Sequence, residues 1–100
     1  MPALKSFSLS KQAANDLDEI FDYTFHEFGL DQAVRYLNEF DVTFSDLVSN
    51  PKIGKDRSEI KKGLRAYTKS HHVIFYRIQD HVVRIVRVLH ANRDLPQLIS

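Results

Sequence analysis

The chain contains no cysteine, which excludes a disulfide framework, a thiolate zinc site and a cysteine nucleophile, and fits a reducing compartment. Side-chain packing must therefore hold the fold by itself. No apolar run approaches the roughly 20 residues that a membrane span requires. The start, Met1-Pro2-Ala3-Leu4-Lys5, lacks the apolar stretch of a secretory leader, so a cytoplasmic chain with no membrane partner is expected. There is no internal repeat, linker or low-complexity tract, and residues 1–100 read as a single domain. P-loop, G-x-G-x-x-G, H-E-x-x-H and G-x-S-x-G patterns are all missing. The histidines are His26, His71, His72, His81 and His90, and the one adjacent pair sits in a strand pattern, where neighbours point to opposite faces. The expectation is no metal, no cofactor and no catalytic residue.

Large apolar side chains are plentiful. The AVILMFWYC class makes up 43% of the chain and includes seven Phe and four Tyr, enough for one shared core at about 25 cal/mol per Å² of apolar surface buried. The net charge of +1 conceals an asymmetry. Residues 1–50 carry three bases against nine acids, a balance of −6, and residues 51–100 carry eleven bases against four acids, a balance of +7. Such a molecule either offers a positive face to a partner or holds its own halves together.

The periodicity changes once along the chain. Leu4–Leu9 alternates as a first strand, and Ser10 stands where a helix N-cap belongs. Ala13, Leu17, Ile20, Phe21, Thr24 and Phe28 then recur at helical spacing up to Gly29. Asp31 is placed to cap a second helix with Ala33, Leu37, Phe40, Phe44, Leu47 and Val48 on its apolar face, stopped by Asn50-Pro51. The short link makes the two helices an antiparallel hairpin. Lys52–Lys62 reads as an exposed loop. Leu64–Lys69, His72–Ile78 and Val82–His90 then form an antiparallel three-stranded meander. The result is a two-layer α+β fold. The last two strands are apolar on both faces, so one face is assigned to the helical hairpin and the other to a further cover, such as a partner.

Four groups of polar residues stand out. Lys61, Lys62 and Lys69 belong to a basic cluster in and after the loop, able to meet carboxylates or phosphates. Arg77, Arg84 and Arg87 lie in apolar strands, where a guanidinium must reach solvent, an acid of the helices or a partner. Arg65 opens a strand beside Gly63. His90, Arg93 and Asp94 follow the longest apolar strand, at the end of a rigid element. Tyr67 and Tyr76 read as core residues with a hydroxyl at the edge.

The order of strand, helical hairpin, basic loop and meander resembles the ParE family of toxins. So do Gly63-Leu64-Arg65, His72-Val73-Ile74-Phe75-Tyr76-Arg77-Ile78, Ile85-Val86-Arg87-Val88-Leu89-His90 and Arg93-Asp94. The resemblance spans nearly the whole chain. It implies a fold shared with RelE, a ParD-like ribbon-helix-helix antitoxin, and poisoning of DNA gyrase by protein binding, with DNA reached only through the antitoxin or the gyrase complex. Arg65, His90, Arg93 and Asp94 are then candidates for target binding, and Lys61, Lys62, Lys69, Arg77, Arg84 and Arg87 for the antitoxin contact or basic patch. RelE-type relatives are ribosome-dependent mRNA nucleases that often use a Tyr near the C-terminus, and no Tyr follows Tyr76 here. That enzyme activity is the alternative reading, and an inactive fold that retains antitoxin binding is a third.

Overall fold

A computed structural model describes residues 6–92 and 95–99. The elements run β1 (Ser6–Leu9), α1 (Lys11–Phe28), α2 (Leu30–Ser49), β2 (Lys55–Asp56), β3 (Arg65–Lys69), β4 (His72–Gln79), β5 (Val82–His90) and α3 (Leu95–Ile99). The strands form one mixed sheet in the order β1-β5-β4-β3-β2, with β1 parallel to β5 and the remaining pairs antiparallel. The meander of the sequence reading is its centre. Its β4–β5 turn, Asp80-His81, has φ of 53° and 64°, the left-handed values that tight hairpins require.

The outer edge of β5 fixes the start of α1. β1 pairs only as far as Leu9 opposite Ile85, and beyond that point the helix takes over. The Ser10 amide donates to the Ile85 carbonyl at 2.9 Å and its hydroxyl to the Val86 carbonyl at 2.7 Å. The same Oγ accepts the Ala13 amide at 2.9 Å, so the expected N-cap also anchors the helix to the sheet. Here β5 carries a bulge: Phe75 pairs with Arg87 but Tyr76 with Ile85, leaving Val86 as the extra residue.

At the other end of α1, a single residue reverses the chain. Gly29, at φ 92°, caps α1 through its amide to the Phe25 carbonyl and already accepts the Ala33 amide of α2. The second helix therefore starts at Leu30 with Gly29 as its N-cap, two residues before the sequence reading, which gave the cap to Asp31. Asp31 lies in its first turn, where it suits the positive helix end, and makes no side-chain cap.

The hairpin covers one face of the sheet. Phe40, Phe44, Leu47, Ile74, Tyr76, Val83 and Ile85 are fully buried between the two layers, with Phe7 against Phe44 at a centroid distance of 5.2 Å. Thr24 and Thr43 are buried because their hydroxyls donate to the Ile20 and Glu39 carbonyls one turn back. Phe28, expected on the same face, is 69% exposed. The opposite face of the sheet is covered by the chain itself. Leu64, Val73, Phe75, Leu89 and Ile99 form a second core with Ile60, Ala66, Val86 and Leu95, so the chain itself supplies cover on that face.

The 52–62 segment is more built than the sequence reading made it. Lys55–Asp56 adds a two-residue edge strand, and Gly54 is buried. The Tyr76 hydroxyl accepts the Gly54 amide at 2.9 Å and donates to the Pro51 carbonyl at 2.7 Å. A Cβ on Gly54 would meet the Tyr76 hydroxyl and lie 2.7 Å from a ring carbon. We expect Gly54→Ala to cost about 2–3 kcal/mol, because Tyr76 has no room to yield. Urea unfolding checks this; a loss within ~0.5 kcal/mol would mean that the contact relaxes freely.

Candidate functional site

The sheet arginines serve the fold in different ways. Arg87 makes a bidentate pair with Asp16 of α1, Nε to Oδ2 at 2.8 Å and Nη2 to Oδ1 at 2.9 Å. Asp16 Oδ2 also accepts the Val88 amide at 3.0 Å, two residues past the bulge. The hydrogen bond to Asp16, with its charge, holds the Arg87 guanidinium above its ordinary pKa. Arg84 donates to the Ser8 hydroxyl at 3.2 Å and the Leu9 carbonyl at 3.0 Å, tying β1 to the sheet. Arg77 lies opposite Arg84 on β4, and its buried Nε has no hydrogen-bond partner among the described residues.

Arg65 is half-buried and bonded to the backbone of the preceding loop. Its Nε and Nη2 donate to the Gly54 carbonyl at 3.1 and 2.7 Å, and Nη2 also reaches the Lys52 carbonyl at 3.1 Å. It staples the loop to β3. Lys61 and Lys62 are exposed on that loop, and Lys69 is half-exposed at the end of β3.

His90 occupies the far end of the sheet. It lies opposite His72 in the β4–β5 register, with ring centroids 5.4 Å apart, and stacks on His71 at 6.3 Å. Its Nδ1 accepts the Asn92 amide at 3.2 Å, and the ring is exposed. Arg65 pairs with Tyr76, four positions along β4 from His72, so about 13 Å of strand separates it from His90. The structure thus does not join these two candidates in one site. Arg93 and Asp94 lie outside the described residues.

Behind His90 is a group that the sequence reading passed over. The Tyr36 hydroxyl of α2 meets His72 Nδ1 at 2.9 Å, and Phe40 packs edge-on against the same imidazole. Burial, reinforced by His90 and His71, pushes the His72 pKa from 6.5 down to about 4. Burial also raises the Tyr36 pKa, and Glu39 adds to this against a hydrogen bond from Ser70. These groups border a cleft of about 840 Å³ between α1, α2 and the end of the sheet, walled by Glu19, Ile20, Tyr23 and Phe28. Asp16 and Tyr36 were both missed. Asp16 left one signal, its spacing of three from Ala13 and four from Ile20, which puts an acid on the buried stripe.

Among the described residues no three His, Cys, Asp or Glu side chains are arranged to hold a metal ion, and no helix is long and apolar enough to cross a membrane. The helical hairpin on a mixed sheet places the chain in the RelE/ParE-like class of folds. A solved structure titled as a chromosomal ParDE TA system from P. aeruginosa shares that fold, with a TM-score of 0.77 at 20% identity, covering 91% of this chain and 100% of that one. Toxin ParE1 of Mycobacterium tuberculosis is 37% identical over 90 residues, 89% of this chain and 92% of its own. Toxin ParE1 of Caulobacter vibrioides is 34% identical over 91 residues, covering 91% and 94%. Residues 7–95 match the family described as ParE toxin of type II toxin-antitoxin system, parDE. The chain belongs to the ParE family of toxins and acts in a ParDE toxin-antitoxin module.

Proposed function

We propose that this toxin inhibits DNA gyrase by docking on it, without a reaction of its own, and that a ParD-like ribbon-helix-helix antitoxin neutralises it. DNA is reached only through the antitoxin or the gyrase complex. The observation that carries the reading is the family match over residues 7–95. The polar groups support it. Arg65, Arg84 and Arg87 are spent on internal contacts, whereas His90, Lys61 and Lys62 stand on rigid elements or turns with their side chains open to a protein surface.

The test is a supercoiling assay with purified gyrase. Wild-type toxin should stop supercoiling or accumulate cleaved DNA. His90→Ala should weaken this about tenfold, the size of one lost interfacial hydrogen bond, with the melting temperature unchanged. Arg65→Ala should act differently, by loosening the loop and lowering stability. Untouched gyrase together with mRNA cut on translating ribosomes would replace this reading with the nuclease one.

A further inference from the structure

Alternation along β4 and β5 sets two guanidinium side chains next to each other on the face of the sheet away from the helical hairpin. Tyr76 points into the helix-side core and Phe75 into the second core, so Arg77 shares the second face. Val83 and Ile85 both point to the helices, which sends Arg84 between them to the side of Arg77. The two arginines are direct partners in the β4–β5 register, where Cβ atoms lie about 5 Å apart. Like charges placed directly opposite repel and cost stability.

The chain satisfies one of them in part and neutralises neither. Arg84 donates to the Ser8 hydroxyl and the Leu9 carbonyl, both uncharged, and both bonds come from Nη1. Arg77 Nε is the one buried side-chain nitrogen or oxygen among the described residues with no hydrogen-bond partner. The ion pairs among those residues are Arg57–Glu59 and Arg87–Asp16, and Asp80, in the turn that follows β4, pairs with neither arginine. A buried cationic donor without an acceptor is costly, and a bound anion is one of the few things that offsets it.

Ser8 completes the group. It lies opposite Arg84 on β1, and because its Oγ accepts Arg84 Nη1, its own hydrogen is left to donate. All three side chains are half-buried and therefore reachable from solvent. Two guanidinium forks and a hydroxyl converge with donors alone. A carboxylate is filled by one fork, whereas the several oxygens of a phosphate can take bonds from both forks and the hydroxyl together. We propose that Arg77, Arg84 and Ser8 form a binding site for a phosphate group. The site is independent of the gyrase reading, since nothing in it depends on the toxin's target.

The test follows the side-chain Nε–H signals of Arg77 and Arg84 in isotope-labelled toxin while inorganic phosphate is added at constant ionic strength. Both should shift and saturate, with a half-point on the order of 1 mM. Arg77→Gln removes one fork and relieves the repulsion. In phosphate-free buffer it should be at least as stable as wild type, and it should bind phosphate at least tenfold more weakly. Thermal unfolding gives a second readout: phosphate should raise the wild-type midpoint above that in chloride of equal ionic strength and leave Arg77→Gln unmoved. A dinucleotide with a single phosphodiester identifies the source. Shifts of the same two signals select a nucleic-acid backbone, and a response to inorganic phosphate alone selects a free or terminal phosphate; either result supports the site. Equal shifts with chloride would be screening, and equal shifts with acetate would make this a carboxylate site. Either of these, no saturable shift, or Arg77→Gln binding as wild type overturns the proposal.

Discussion

Replacing Asp16 by Ala lowers the unfolding free energy by about 3–5 kcal/mol, the usual loss when one partner of a buried ion pair is removed. The change takes both carboxylate contacts from the Arg87 guanidinium, only 15% exposed, and the side-chain acceptor from the Val88 amide. A domain of this size has about 5–15 kcal/mol in total, so the variant should be close to unfolding at 37 °C. Asp16→Asn keeps an acceptor for the Val88 amide and should lose less. Adding Arg87→Met to Asp16→Ala should recover part of the loss, because the largely buried cation that lost its carboxylate is then gone. Urea titration of the four proteins decides the matter. Equal stability of Asp16→Ala and wild type would mean that water replaces the carboxylate and that the pair does not hold α1 to β5.

The second large effect is an acid destabilisation set by His72. In the unfolded chain this imidazole takes up its proton near pH 6.5, whereas in the folded protein it does so only near pH 4. Between these values the unfolded state binds more protons, so stability is full above about pH 6.5 and falls as the pH drops toward 4. The undiscounted shift corresponds to about 3 kcal/mol at 1.36 kcal/mol per unit. Partial exposure of the ring reduces the expected loss to about 1–2 kcal/mol. His72→Gln keeps a polar partner for Tyr36 and should flatten the profile. The check is the unfolding free energy of both proteins at pH 7.5, 6 and 4.5. A wild-type profile no steeper than that of His72→Gln would place the acid sensitivity elsewhere.

Where the fold was legible in the sequence, short-range patterning was the reason. Ser10, Gly29 and Asn50 mark helix ends through their own backbone and side-chain chemistry, and the structure uses each at that place. The three strands of the meander lie within one or two residues of their expected bounds because β-branched and aromatic runs need no distant information. What escaped depends on contacts far along the chain. Asp16 and Arg87 are 71 positions apart, and nothing local announces the pairing beyond an acid on an apolar stripe. β2 has two residues, too few to show a period, and exists because Arg65 and Tyr76 hold the preceding loop.

The candidate site was readable by residue type and less so by role. Arg65 and His90 were both picked out, but one is a loop staple and the other an exposed ring, at opposite ends of the β3–β4 hairpin. The same residue type in the same sheet does different work. Arg87 neutralises a buried acid, Arg84 fastens β1, and Arg77 keeps a buried Nε without a partner. The fate of each is decided by which acid or carbonyl the folded chain brings within about 3 Å, and a strand pattern carries no such information.

A docking toxin and a catalytic one differ most sharply in stoichiometry. Supercoiling can be titrated with toxin at a gyrase concentration well above the dissociation constant. A docking toxin should lower activity in proportion to toxin added, with an end point near one toxin per gyrase site. Complete inhibition at a small fraction of one equivalent, increasing with incubation time, would be turnover and would contradict it.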